Sequence, residues 1–395
     1  MADSQPSPPV EAPPYPIPVA LLGGVPTPSV DDPISAVFLF LFISLAVVHM
    51  TIFQLNRKKS HKFVFSGLLF GLSMARSIAM IMRIVWASNS TNVRIALAAN
   101  IFSQAGVIII FIANLFFAQR LFRAYLPSAG WHKATGLALK FLVGCVIACL
   151  VMVIVTVVHS SYSLDRAAQD KDRKVQLFAG TFFAILAFVP VPVILSAVLI
   201  SRHKRSNSQA VSDDTSSSSP DDKQPRQAQL MGSRASGRPE KFGTGRLRTK
   251  VRLILFTSVI LTLGAAFRVA TNFAARPAND PAWYHSRACY YCFNFVIEII
   301  CSALYAAVRF DRRFHVPNGA KGPGDYSAGR QSATSGLGGK IEEGSAHAAV
   351  AEEEAEGLHG VGPHFTRNVN TEEETFGPDG EESEEGTLGR AKEEV

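Results

Sequence analysis

The chain has 395 residues, 48% of them hydrophobic and only 18% charged, with 39 Lys and Arg against 32 Asp and Glu. Both ends are polar, so the apolar residues are concentrated between Ile34 and Val308, in seven runs close to the ~20 residues a helix needs to cross a bilayer. That pattern excludes a soluble α/β core, whose apolar runs are broken by turn signals every ~5–8 residues, and the lack of alternating ~10-residue segments excludes a membrane β-barrel.

In chain order, residues 1–33 contain PSPPVEAPPYPIP and read as an extended, polyproline-like, disordered outer tail. This segment has no basic stretch followed by a short apolar core, so the first span is expected to insert without cleavage. The spans run from Ile34 to Leu55, Phe63 to Trp86, Ile95 to Ala118, Thr135 to Val158, Val175 to Ile200, Val251 to Ala274 and Ala288 to Val308. Backbone groups find no water in hydrocarbon, so each span is expected to be helical. The fold class is all-α, a polytopic membrane protein whose seven-helix domain occupies residues 34–316. Val189-Pro190-Val191-Pro192-Val193 removes two backbone donors from the fifth span and predicts a kink there.

Basic residues follow the first, third, fifth and seventh spans, as NRKKSHK, AQRLFRA, SRHKR and RFDRRFH. The other loops are nearly charge-balanced, so the N-terminus is expected outside and the C-terminus in the cytosol. Residues 201–250, with SDDTSSSSPDDK, are too polar to fold alone and read as a disordered cytosolic loop. The run Ser216 to Ser219, beside acids and a proline, fits a phosphorylation target. Residues 317–395 turn Gly/Ser-rich and then acidic (AEEEAEG, TEEETFG, EESEEG), a solvated tail. Before it, Phe310 and Phe314 among arginines predict one interfacial turn on an anionic leaflet. The net charge of +7 thus conceals a basic flank and an acidic tail, and nucleic acid is not an expected partner. The expected partners are membrane lipids, and cytosolic signalling proteins through 201–250 and the acidic tail.

Polar groups at membrane depth carry the functional information, since a charge at a helix centre costs about 2.5 kcal/mol or more and normally finds a partner in the bundle. They are Arg76 and Arg83 in the second span; Asn100, Gln104 and Asn114 in the third; Arg268 and Asn272 in the sixth; Asn294 and Glu298 in the seventh. Counted along the helices, Arg76 and Glu298 lie at similar depth, about ten residues from the outer end of their spans. They are the expected ion pair, in a polar core with Asn294, Asn100 and Gln104. No intramembrane acid matches Arg83 and Arg268 in the outer third. These two either snorkel to headgroups or, with Asn272, line an outer cavity for an anion such as a carboxylate or lipid phosphate.

Catalysis finds little support. Paired intramembrane aspartates are lacking, and His49, His159 and His285 are isolated from one another. Cys289 and Cys292 in C-Y-Y-C would need more than His285 to hold zinc. The seventh span has no lysine for a retinal Schiff base. No enzyme activity, metal or cofactor is expected.

The stretch RIVWASNSTNVRIALAANIFSQAGVIIIFIANLFFAQRLFRA (Arg83 to Ala124), with GWH (Gly130 to His132), FNFVIEII (Phe293 to Ile300) and RFDRRFHVPNG (Arg309 to Gly319), resembles a fungal seven-helix membrane-protein family of unknown function. Members are sometimes labelled family C-like G-protein-coupled receptors. The resemblance covers roughly Ile34 to Gly319 and implies the seven-helix fold and a fungal origin; the receptor label rests on topology. Four receptor hallmarks are missing: an acidic-Arg-aromatic triplet where AQRLF stands, Asn-Pro-x-x-Tyr in the seventh span, a cysteine pair linking the third span to the second outer loop, and a large outer ligand domain. The expected function is a receptor-like sensor, and the alternative is a lipid or amphiphile transporter or exporter.

Overall fold

A computed structural model describes residues 13–15, 19–59, 63–215 and 239–327. Among these, seven helices are long and apolar enough to span a membrane: α1 (Pro28–Lys58), α2 (Phe65–Ser88), α3 (Val93–Tyr125), α4 (Lys133–Tyr162), α5 (Arg166–Asn207), α6 (Leu247–Phe273) and α7 (Arg287–Ala307). No strand ladder occurs among the described residues; Val19 and Pro277 form one isolated bridge. The chain is therefore an all-α, multi-pass membrane protein.

Most of the helices outrun the apolar spans because capping groups, not hydropathy, decide where they begin. Pro28 occupies the first turn of α1, where its missing N–H costs nothing, and Asp31 accepts a hydrogen bond from the Thr27 N–H at 2.9 Å. Asn92 caps α3 by accepting from Arg94 N and Ile95 N, Asp165 caps α5 through Ala167 N, and Ser286 caps α7 through Cys289 N. Three helices are interrupted. The α-helical winding of α3 breaks between Ala105 and Ile108, and that of α5 breaks at Val189, ahead of Pro190, which has no N–H to donate. In α7 the residues Cys292–Val296 wind as a π-helix before α-geometry resumes at Ile297.

Neighbouring helices pack in chain order from α1 to α3 and from α3 to α5; α5 packs on α6, α6 on α7, and α7 closes the ring against α1. α4 is the most apolar helix and the least buried. Its Leu137, Phe141, Ile147, Val151 and Val155 stand exposed along the outside. An apolar stripe of that length is stable only against acyl chains, which identifies the lipid-facing wall.

The two ends of the bundle differ. At the end reached by the C-termini of α1, α3, α5 and α7, Phe63, Phe65, Phe117, Phe310 and Phe314 form a buried aromatic layer. Residues 239–246 lie over it: Glu240 N donates to Ala124 O at 2.8 Å, Thr244 N to Arg312 O at 2.9 Å, and Lys250 Nζ to Phe242 O. Gly243 has φ +51°, and an added Cβ would lie 2.2 Å from Arg313 O, so the close crossing requires glycine. We call this the basic end, and the opposite one the strap end, because residues 19–27 cross it. Ala20 N donates to Arg276 O and Gly23 N to His285 O, tying that segment to the α6–α7 connection.

Several expected boundaries change. Residues 28–33, assigned to the tail, form the first turns of α1. Part of the expected 201–250 loop is ordered: α5 continues as helix to Thr215, and α6 starts at Leu247. Residues 317–327 also pack, with Tyr326 buried and Gly324 N donating to Glu240 Oε1 at 2.6 Å. Phe310 and Phe314 are fully buried in the bundle instead of lying on a leaflet, because Phe117 offers both rings a partner, edge-on to Phe310 and stacked on Phe314. Ser216 to Ser219 and the acidic blocks lie outside the described residues.

Candidate functional site

Three buried arginines, each with its own partners, lie towards the strap end. Deepest is Arg76, with no solvent exposure, bound to Glu298 in a two-point pair: Nε donates to Oε2 at 2.6 Å and Nη2 to Oε1. Two parallel N–H···O contacts give this pair its fixed orientation. Nη1 donates to Ser103 O at 2.5 Å. That carbonyl lies just before the break in α3, where tighter contacts such as Ile109 N to Gly106 O at 3.3 Å replace regular winding. Gly106 makes room for the guanidinium, since a Cβ there would lie 3.0 Å from Arg76 Nε. The cation also sits 5.2 Å from the Phe295 ring centroid.

Arg83 is next. It is buried rather than snorkelling, and its acid comes from α1: Nη2 donates to Asp31 Oδ1 at 2.9 Å. The same oxygen accepts from Tyr291 OH at 2.9 Å, while Oδ2 lies 2.9 Å from Arg287 Nε. Arg83 also donates to Gly23 O at 2.9 Å and Gly24 O at 3.1 Å, so it fastens the strap to the bundle. Gly23 has φ +82° and lies against Tyr290, where a Cβ would come within 2.7 Å of the ring. The expectation that Arg83 has no acid partner is therefore corrected. Asp31 lies in the first turn of α1, not in a tail.

Arg268 is the third cation. It is 9% exposed, and among the described contacts its hydrogen bond is to Asn294 Oδ1, at a marginal 3.5 Å. The Asn294 amide is fixed by donating Nδ2 to Tyr290 O at 2.9 Å, within the π-helical turn of α7. Irregular windings of this kind recur where a helix must re-aim a side chain at a site.

Arg268 lines a cavity of about 410 Å³ between α3, α4, α5 and α6, covered by residues 19–22 of the strap. Asn100, Gln104 and Asn272 also face it. The expected sites are therefore regrouped. Arg76 and Glu298 come together as a pair, and Asn294 joins Arg268. Neither Asn100 nor Gln104 hydrogen-bonds to Arg76, because the α3 break puts the Ser103 carbonyl in that position; both belong to the cavity. Asn272 is exposed near its mouth.

Other participants carried no intramembrane polar marker or were not assigned a partner. One face of α4 (Leu150, Val153, Ile154, Val157) and one of α5 (Leu177, Gly180, Phe183) supply the apolar wall at helical spacing. Nearer the basic end, Asn114 donates to Thr257 Oγ1 at 3.3 Å and Ser258 Oγ at 3.2 Å and accepts from Tyr305 OH. This closed network, like His49 bound to Ser302 at 2.9 Å, lies outside the cavity.

A family model described as "Protein of unknown function (DUF3112)" matches residues 235–315. The match takes in the packed segment before α6, then α6 and α7, and so includes Arg268, Asn294 and Glu298. No curated protein and no solved structure matches the chain.

Proposed function

We propose that this seven-helix membrane protein is a receptor-like sensor without catalytic activity, which binds its ligand in the cavity beneath the strap, with the strap end facing outwards. The observation that carries this reading is that the cavity is one-sided. Its lining reaches no deeper than Phe111 and Phe183; the Asn114–Tyr305 network and the aromatic layer lie between it and the basic end. A site with access from one end suits recognition. Its ligand can act on the far end only by shifting helices, and α5 and α6, which line it, continue to the segments that flank residues 216–238. Cytosolic signalling partners would then engage 201–250 and the acidic tail.

The transporter alternative draws on one feature, the interruptions in α3, α5 and α7, since broken helices at membrane depth are a recurring device of carriers. Reconstituted vesicles decide between them. A sensor shows ligand-dependent movement of a fluorophore at Arg252 on the basic end and no net flux of ligand. Ligand flux into the vesicles overturns the sensor reading in favour of transport.

A further inference from the structure

We infer that the ligand of the strap-end cavity is an amphipathic monoanion, a carboxylate on an alkyl chain, with its head on Arg268 and its chain against the apolar walls supplied by α3, α4 and α5. This rests on the reading of the cavity as a ligand site and adds the chemical class of what fills it.

The charge balance of the site comes first. Four charged residues line the cavity: Arg83, Arg268, Asp170 and Arg173. Asp170 and Arg173 are exposed, near the start of α5. Arg83 is matched by Asp31, and the neighbouring Arg76 by Glu298. Among the described residues, Arg268 alone of these three buried arginines has no acid in a salt bridge. It is more than nine-tenths buried, where an unmatched cation is costly. A guanidinium that among the described contacts donates to Asn294 Oδ1 alone, and that lines the cavity, suits one planar anion. Among the buried charges of the cavity one is in excess, since Arg287, the second cation on Asp31, is part-exposed to solvent; that single buried charge suits a monoanion better than a dianionic phosphomonoester.

The shape of the cavity gives the rest of the ligand. Arg268 is five residues from the end of α6, about 7 Å deep, with Asn272 one turn nearer the mouth. Gln176 of α5 and, further out, Gln169 of α5 and Ser160 of α4 lie on the mouth side of Arg268. Gly180 of α5 packs against Val269 and His159 of α4 bonds Asp172 of α5, which puts Leu150 about level with Arg268 and Phe183 about one turn below it; Val107, Ile108 and Phe111 of α3 complete an apolar floor. Polar groups near the mouth and an apolar floor are the polarity of an amphiphile bound head outwards. About 410 Å³ falls within the range of sites that enclose small ligands.

The test is photo-crosslinking of the full chain in phosphatidylcholine nanodiscs, with a diazirine-bearing dodecanoate and its uncharged methyl ester as probes. The acid is expected to label α4 and α5 cavity residues about 10- to 100-fold more than the ester. R268Q should lower the acid to the level of the ester, R268K should retain most of the preference, and I154W, which fills the cavity, should abolish labelling by both. If R268Q does not accumulate folded, competition in the wild-type protein decides: unlabelled dodecanoate must displace the probe far better than dodecanol or dodecyltrimethylammonium. Equal labelling by acid and ester that I154W abolishes overturns the monoanion while keeping the cavity as a ligand site. Labelling that I154W leaves unchanged, or no labelling of cavity residues, overturns both.

Discussion

Glu298→Gln is the sharpest probe of the bundle interior. The substitution keeps the shape of the side chain but removes its charge and turns one acceptor into a donor, facing either Nε or Nη2 of Arg76. Arg76 has no solvent exposure, so water cannot replace what is lost, and the Ser103 carbonyl remains its only strong acceptor among the described contacts. Leaving one partner of a buried pair uncompensated costs about 3–5 kcal/mol. Domains of about 150–250 residues lose about 2–4 °C per kcal/mol and larger chains less, so the melting temperature should fall by at least several degrees and at most roughly 20 °C. The assay is thermal unfolding in detergent, followed by the fluorescence of Trp86, Trp131 and Trp283. Arg76→Met should behave similarly, whereas combining Arg76→Met with Glu298→Leu, which removes both charges, should recover much of the loss. A melting temperature within about 2 °C of wild type for either single variant, or a double variant as unstable as the sum of the singles, would refute the reasoning.

Asp31→Asn strips the acid from beside Arg83 and Arg287 and should destabilise by a similar ~3–5 kcal/mol; limited proteolysis should then cut residues 19–27 well before the bundle, and unchanged cleavage would contradict the fastening role of Arg83. Gly106→Ala places a Cβ 3.0 Å from Arg76 Nε and 3.1 Å from Cζ, so the guanidinium must shift; the expected cost is about 1–3 kcal/mol in the same melting assay. Asp311 tests the basic end by pH. Burial pushes its carboxyl up, but hydrogen bonds from Arg309 and Asn56 and the charge of Arg309 outweigh that and hold it below the ordinary carboxylate value. The unfolded chain therefore takes up the proton first as pH falls, so the contribution is present above about pH 4 and is lost progressively below it, as pH falls through the lowered folded-state value. Asp311→Asn should melt lower than wild type at pH 7, with the gap narrowing as pH falls below about 4; a gap that stays constant from pH 7 down to about pH 2 would contradict the assignment.

The number of spans and their centres were legible because crossing a bilayer demands a length of apolar helix that nothing else in the chain mimics. The ends were less so. T-P-S-V-D-D at residues 27–32 is polar enough to look like tail, yet Pro in the first turn with acids behind it is the signature of a helix start. Missing that start hid the acid that pairs with Arg83. Depth counting brought Arg76 and Glu298 together because both sit on regular stretches, where 1.5 Å per residue holds. The i,i+4 spacing that put Asn100 and Gln104 on one face did not bring them to Arg76, because α3 breaks beyond Ala105 and the Ser103 carbonyl meets Arg76 instead. The cavity wall on α4 and α5 was not legible at all. An apolar residue facing lipid and one facing a cavity are written with the same letters.

The two arginines of GLSMARSIAMIMRIVW share a face seven residues apart, and a third, Arg268, faces them from α6. What separates their roles is the acid each can reach. Arg76 has Glu298 and holds α2, α3 and α7 together; Arg83 has Asp31 and holds the strap down. Both would lose most of their value if the acid moved, which makes them fixed parts. Arg268 is bound only by an amide at 3.5 Å among the described contacts, so an arriving anion displaces no competing carboxylate from it. An anion docked there would stand between Asn294 on the π-turn of α7 and the apolar faces of α4 and α5, a helix pair against which α7 itself packs little. Its binding energy is thus available to draw α7 and that pair together, and the interrupted winding of α5 at Val189 lies where such a movement would be carried towards the basic end.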